Sequence, residues 1–358
     1  MKRGDWREVA DLAGPLGATI GTAGLGALLA SLAGLPAAAL VGSAAAVAAF
    51  ALLGGRAHVP DRLRDGGFAA IACSLGAGIT PAIFDDLARW PLSIAILLLA
   101  LAAMVVGAVL LLERVFGHDR STALLAATPG ALSATLAFAA EGRGDVRAVA
   151  VMQSMRLFSI TLALPLLLGL TAGPDETGGT VVSPETMSWP VALALFAGSY
   201  ALGHIAATRG VPAPFLVGGL LPSTLLHVTG VVTGPPPALF VTLGLAVTGA
   251  VIGARSRGAR RAEIARHATA AFCVVGFSSA IAALAALAAV ALLGIPFGQA
   301  WVTYAPGGVE TMAAMALALD YDPAFVAVHH LVRITVLIAA LPILISRLTR
   351  HGTSDDVE

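Results

Sequence analysis

Two arginines occupy positions where arginine is costly. Arg156 and Arg333 each fall about ten residues into a long apolar run, near a bilayer midplane, where insertion costs about 2.5–3.5 kcal/mol. Such residues need partners inside the protein. A guanidinium is a planar fork of donors that fits carboxylate or phosphate through two parallel hydrogen bonds. It serves equally well to hold the free carbonyls of a broken helix. Ahead of each arginine lies such a break, Thr128-Pro129-Gly130 in one run and Ala305-Pro306-Gly307-Gly308 in the other. Irregular backbone at membrane depth is tolerated only inside protein or along a wet cavity. A half-helix starting near Gly130 or Gly307 would offer unpaired N–H groups and a positive dipole end, which together attract an anion. A simple hairpin tip packed against the other half is the plainer alternative.

Around these features stand polar residues of uneven symmetry. Glu310 follows Gly307 by three residues, where the other break has Ser133. It is a candidate for coupling to a proton or a sodium ion, and equally for capping the half-helix or pairing with Arg333. His329 and His330 precede Arg333 by one turn, with Met152 and Gln153 as their counterparts. His330 shares a helix face with Arg333, as Gln153 does with Arg156; a satisfied buried histidine is the alternative. The candidate solute-binding set is therefore Arg333, Arg156, Gly307, Gly308, Glu310, Thr311, Gly130, Thr128, His330 and Gln153. His204 and His227 are isolated. The two cysteines, Cys73 and Cys273, sit in apolar runs with no metal-ligand spacing. No nucleophile, metal or cofactor constellation is present, so neither an enzyme nor a resident cofactor is expected.

The elements that must position these residues are membrane helices. Of the 358 residues, 58% are apolar and 12% charged, against about 25% charged in soluble domains. Apolar runs of spanning length fall at 14–33, 36–54, 66–83, 92–112 and 147–170, then at 190–207, 213–230, 237–254, 268–294 and 324–346. Two further segments, 121–140 and 297–319, contain the Pro-Gly breaks. A shift of 177 residues sets Pro129 on Pro306, Gly130 on Gly307, Asp145 on Asp322, Arg156 on Arg333 and Pro165 on Pro342 without a gap, which marks an internal duplication. With the N-terminus inside and the Pro-Gly segments dipping in and returning, 18 of the 21 basic residues fall in inside loops. Letting those segments cross instead divides the basic residues almost evenly. Each half then has five spans, an odd number, so the second is inverted, as in secondary transporters.

The expected fold is thus all-α, with ten transmembrane helices and two re-entrant hairpins. The first repeat covers 1–171, an external linker 172–189, the inverted repeat 190–346 and a cytoplasmic tail 347–358. The setting is the inner, cytoplasmic membrane, with both termini cytoplasmic. The lipid bilayer and a small-molecule solute are the expected partners. Gly21, Gly24 and Gly26 allow close helix packing within or between chains, which leaves a homo-oligomer open.

The stretch from Ala127-Thr128-Pro129-Gly130-Ala131-Leu132-Ser133 to Arg156 and Pro165 resembles the signature of the AbrB membrane-duplication family. Tyr304-Ala305-Pro306-Gly307-Gly308-Val309-Glu310-Thr311-Met312, followed by Asp322, His329, Arg333 and Pro342, resembles it more closely. The first copy departs from the pattern: Ala131 stands for the second glycine and Ser133 for the acid. That favours the second break as the principal site. The resemblance implies a polytopic inner-membrane protein, of a family often labelled as transcriptional regulators or ammonia monooxygenases. Neither label follows from these residues. No inside loop is long enough for a DNA-binding domain, so direct nucleic-acid contact is not expected, and no copper or iron site is evident. The leading expectation is a secondary carrier for a small anionic organic solute. The alternative is a membrane sensor that affects gene expression indirectly.

Overall fold

The computed structural model describes residues 5–79, 90–130, 132–171, 186–257 and 261–352. Arg89 and most of the expected linker lie outside them. Every regular element among the described residues is helical: α1 (Asp5–Leu32), α2 (Ala38–Leu52), α3 (Asp61–Ala77), α4 (Trp90–Arg114), α5 (Arg120–Ala127), α6 (Leu132–Phe138) with a π turn (Ala139–Arg143), α7 (Val146–Thr171), α8 (Trp189–Thr208), α9 (Pro214–Val228), α10 (Ala238–Ala254), α11 (Arg261–Leu293), α12 (Phe297–Tyr304), α13 (Val309–Ala318) and α14 (Pro323–Gly352).

Six of these helices, α1, α4, α7, α8, α11 and α14, are long and apolar enough to cross a membrane. The protein is a multi-pass, all-helical membrane protein. Three of the other expected spans are shorter than the sequence suggests. The 15 residues of α2 and α9 and the 17 of α10 reach about 22–26 Å at 1.5 Å per residue, short of a hydrocarbon core of about 30 Å. The cause at α2 and α9 is local. Pro36 and Pro212 are each followed by an alanine in the left-handed region, Ala37 at φ 51° and Ala213 at φ 47°, so each helix begins only after that turn. Helix α3 starts at Asp61, earlier than its apolar run, and takes Arg62 and Arg64 into its first turns.

The chain forms two compact units, each drawing on both halves of the sequence. The first comprises Met1–Leu87, Thr161–Ala259 and Glu310–Ala327. In it α2 packs on α1 and α10, and α9 packs on α3 and α8. Glycine makes these crossings close. A Cβ on Gly26 would collide with the Gly42 carbonyl, and one on Gly42 would lie 2.6 Å from Ala30 Cβ. In the α8–α9 crossing, a Cβ on Gly203 would lie 2.5 Å from a ring carbon of Phe215. Apolar helices gain little from leaving lipid, so close van der Waals packing of small residues supplies the attraction.

The second unit comprises Ala88–Ile160, Arg260–Val309 and Val328–Glu358. Its spine is α4 against α11. One cluster joins Ala108 and Leu112 of α4, Leu124 and Leu125 of α5, Val149 and Met152 of α7, Ala271 and Val274 of α11, and Leu341 of α14. Another joins Leu97 and Met104 of α4 to Ala282, Ala286 and Ala289 of α11 and to Ala300 and Tyr304 of α12. Tyr304 is anchored by a 2.8 Å hydrogen bond between its hydroxyl and that of Ser93. The two Pro-Gly breaks are thereby mounted on buried helix pairs.

Candidate functional site

A residue before proline is pushed out of the α region by the pyrrolidine ring. Thr128 (ψ 115°) and Ala305 (ψ 142°) are accordingly extended, and α5 and α12 end there. The last turn closes in the same way in both: Thr128 N–H donates to Leu124 O at 3.1 Å and Ala305 N–H to Trp301 O at 2.8 Å. The next helices begin at Leu132 and Val309. Each break therefore exposes helix carbonyls, the negative end of a short helix.

The two arginines answer those carbonyls. Arg156 donates from Nη1 to Ala126 O at 3.2 Å and Ala127 O at 3.5 Å, and from Nη2 to Thr128 O at 3.2 Å. Arg333 donates from Nη1 to Ala305 O at 2.6 Å and from Nη2 to Gly307 O. One turn earlier, Gln153 Nε2 donates to Leu125 O at 2.8 Å and His330 Nε2 to Val302 O at 3.1 Å. The acceptors Leu125 and Val302, and likewise Thr128 and Ala305, are related by the 177-residue shift. The structure thus brings Thr128, Gly130, Gln153, Arg156, Gly307, His330 and Arg333 together in the second unit. The breaks approach each other: the place a Cβ of Gly130 would take lies 3.5 Å from Arg333 Nη2 and 3.7 Å from Gly307 O. Gly130 has φ +89°, which only glycine adopts without strain.

The geometry differs from a bare anion-binding helix start in two respects. The breaks present carbonyls to the arginines, and the Gly307 N–H is engaged, donating to Ala305 O at 2.8 Å. Nevertheless the hydrogen-bonding capacity of the site is not filled. Arg156 and Arg333 are 2% and 1% exposed and His330 is fully buried. The Nε of each arginine and Nδ1 of His330 have no hydrogen-bond partner among the described residues. Neither arginine forms an ion pair with a carboxylate among the described residues, and the two act on each other electrostatically. Two buried cations thus stand together without a counter-charge among the described residues.

Glu310 and Thr311 belong to the first unit. Glu310 is half-buried in the first turn of α13, where it acts electrostatically on Arg255, and it forms no ion pair within 4 Å among the described residues. Thr311 is buried. Gly308 lies between the second break and α13.

Some participants escaped the sequence reading. Thr135 accepts from Gln153 Nε2 at 2.8 Å; its signal was a hydroxyl inside an apolar run, two residues after Ser133. Asp145 and Asp322 had been seen only as matching positions. They are equivalent helix caps: Asp145 Oδ1 accepts from the Arg147 and Ala148 amides, and Asp322 Oδ1 from those of Ala324 and Phe325. The Ala148 amide holds the Asp145 carboxyl below its usual range; partial burial opposes this, and the Arg147 amide and the charges of His267 and Arg147 add to it. His118 and His267 form a ring pair 5.5 Å apart that spacing alone did not suggest.

Fold and site define a multi-pass helical membrane protein whose two Pro-Gly helix breaks are each clamped by a buried arginine. The chain belongs to the AbrB family: the family model described as "Transition state regulatory protein AbrB" matches residues 39–349. It is 27% identical over 298 residues to a Bacillus subtilis (strain 168) protein named "Uncharacterized protein YhjN", covering 77% of this chain and 76% of that one. It is 24% identical over 266 residues to an Escherichia coli (strain K12) protein named "Putative regulator AbrB", covering 72% and 74%. No solved structure matches.

Proposed function

We propose that the protein is a secondary carrier of a small organic anion, working by alternating access in the inner membrane with both termini in the cytoplasm. The observation that carries this reading is the pair of buried guanidiniums that, among the described residues, have no partner for Nε and no carboxylate beside them. Burying an unpaired ion costs several kcal/mol, and a solute carboxylate or phosphate between the two would offset it. In this reading the chain is two inverted repeats of five spans and one re-entrant hairpin each. The support is the matched geometry at a constant shift: equal helix ends, an arginine on the equivalent carbonyls of Thr128 and Ala305, Gln153 and His330 on those of Leu125 and Val302, and equal aspartate caps. The shorter helices α2, α9 and α10 would then span as part of a tightly packed bundle.

The test is a thermal-shift screen of the purified protein against organic anions, cations and neutral solutes, with and without sodium. A ligand at about 100 times its dissociation constant adds roughly 2.7 kcal/mol of stability. Stabilisation by an anion, absent in Arg333→Gln, supports the carrier. Stabilisation by none of them, in folded protein, rejects it. The name of the Escherichia coli relative favours a second reading, a membrane regulator. That reading predicts no solute flux and a protein partner captured only when the basic segment 255–266, with Arg255, Arg257, Arg260, Arg261 and Arg266, is intact.

A further inference from the structure

The two halves of the site differ in one chemically telling way. In the first, Gln153 is saturated: its Nε2 donates to Leu125 O and Thr135 Oγ1, and its Oε1 accepts from Arg156 Nη2 at 3.3 Å. In the second, the equivalent residue is His330. A carbonyl can only accept, so the bond to Val302 O requires that Nε2 carry the hydrogen. Nδ1 is then a bare lone pair. It is fully buried and has no donor among the described residues. A buried acceptor left open is unusual enough to need a reason, and the glutamine opposite shows that the same scaffold can be saturated.

We propose that His330 is the proton-binding group of the carrier, taking a proton on Nδ1 when an anion occupies the guanidiniums. This rests on the carrier reading. The proton comes from hydronium of the bulk solvent: an N–H bond forms at the Nδ1 lone pair as one O–H bond of hydronium breaks, its electron pair staying on the water released. The charged and titratable groups acting on His330 are Arg333 and His329 of its own helix. The segment packed against it, α12, supplies the Val302 carbonyl and carries Tyr304, whose hydroxyl is engaged with Ser93. No carboxylate acts on it among the described residues. The anion is thus the group that makes an imidazolium tolerable there, and by linkage the proton favours the anion by the same factor. Solute and proton would move together. This assigns coupling to His330 rather than to Glu310.

The experiment compares wild type with His330→Gln, which restores the residue used at the equivalent position and keeps a donor for Val302 O. Affinity for the anion found in the screen is measured between about pH 5 and pH 8, with proton uptake on binding followed in weak buffer. Wild type is expected to bind more weakly as pH rises, by up to about tenfold per pH unit, and to take up a proton with the anion. His330→Gln is expected to bind with a flat pH profile and no uptake. Nitrogen NMR of labelled histidine is expected to show His330 as the Nε2–H tautomer without anion and as imidazolium with it. A variant that keeps the wild-type slope overturns the histidine assignment alone. Failure of every anion to bind wild type overturns the carrier reading and this assignment with it.

Discussion

Replacing Arg156 by lysine should destabilise the protein more than replacing it by methionine. The guanidinium makes four hydrogen bonds, to Ala126 O, Ala127 O, Thr128 O and Gln153 Oε1, at 3.2–3.5 Å. An ammonium is a compact, strongly hydrated point charge that cannot fork across Ala126 and Thr128 at once. Losing two bonds made by a charged donor costs about 3–6 kcal/mol in all, while the buried charge remains. Methionine takes the donor from all four acceptors, which are shared pairwise, Ala126 O with Ala127 O on Nη1 and Thr128 O with Gln153 Oε1 on Nη2, at about 1–3 kcal/mol for each pair. Against that, it relieves the several kcal/mol spent burying an ion with no counter-ion. The two terms of the methionine change nearly cancel; the lysine change has the loss without the relief. Thermal unfolding in detergent, followed by tryptophan fluorescence, reads the order wild type, methionine, lysine from most to least stable. A lysine variant as stable as wild type, or more stable than the methionine variant, refutes the claim that the fork and not the charge holds the break.

Gly26→Ala should cost about 1–3 kcal/mol by overpacking, because its Cβ would meet the Gly42 carbonyl and lie 2.5 Å from Ala46 Cβ; Gly21→Ala, with open space around it, should be silent in the same unfolding assay. The Asp145 carboxyl is held below its usual 3.8, so the stability it contributes is present above that value and lost as pH falls through the lower folded one. Asp145→Asn, which retains a capping oxygen, should flatten this acid limb in a melting-temperature profile against pH; an unchanged acid limb would remove Asp145 as its source.

Most of the architecture was legible because it rests on local rules. Apolar runs marked all the long helices, and prolines marked the breaks at Pro129 and Pro306. The constant shift joined Gln153 to His330 and Arg156 to Arg333 before any coordinates. What the residues did not reveal depends on backbone direction and third partners. A Pro-Gly pair reads equally as the start of one helix or the end of another. The extended Thr128 and Ala305 decide for exposed carbonyls, which the arginines then take. The shortness of α2 and α9 was hidden because alanine, at Ala37 and Ala213, gives no sign in composition of a left-handed turn. Which imidazole nitrogen of His330 is free depends on the Val302 carbonyl, 28 residues away in sequence.

The most direct test of the central claim is equilibrium binding of radiolabelled anion to wild type and to the double variant Arg156→Met, Arg333→Met, with folding of both checked by their unfolding transitions. The account predicts saturable binding to wild type and none to the folded double variant. Equal binding to both would show that the buried guanidiniums hold the helix breaks and nothing else.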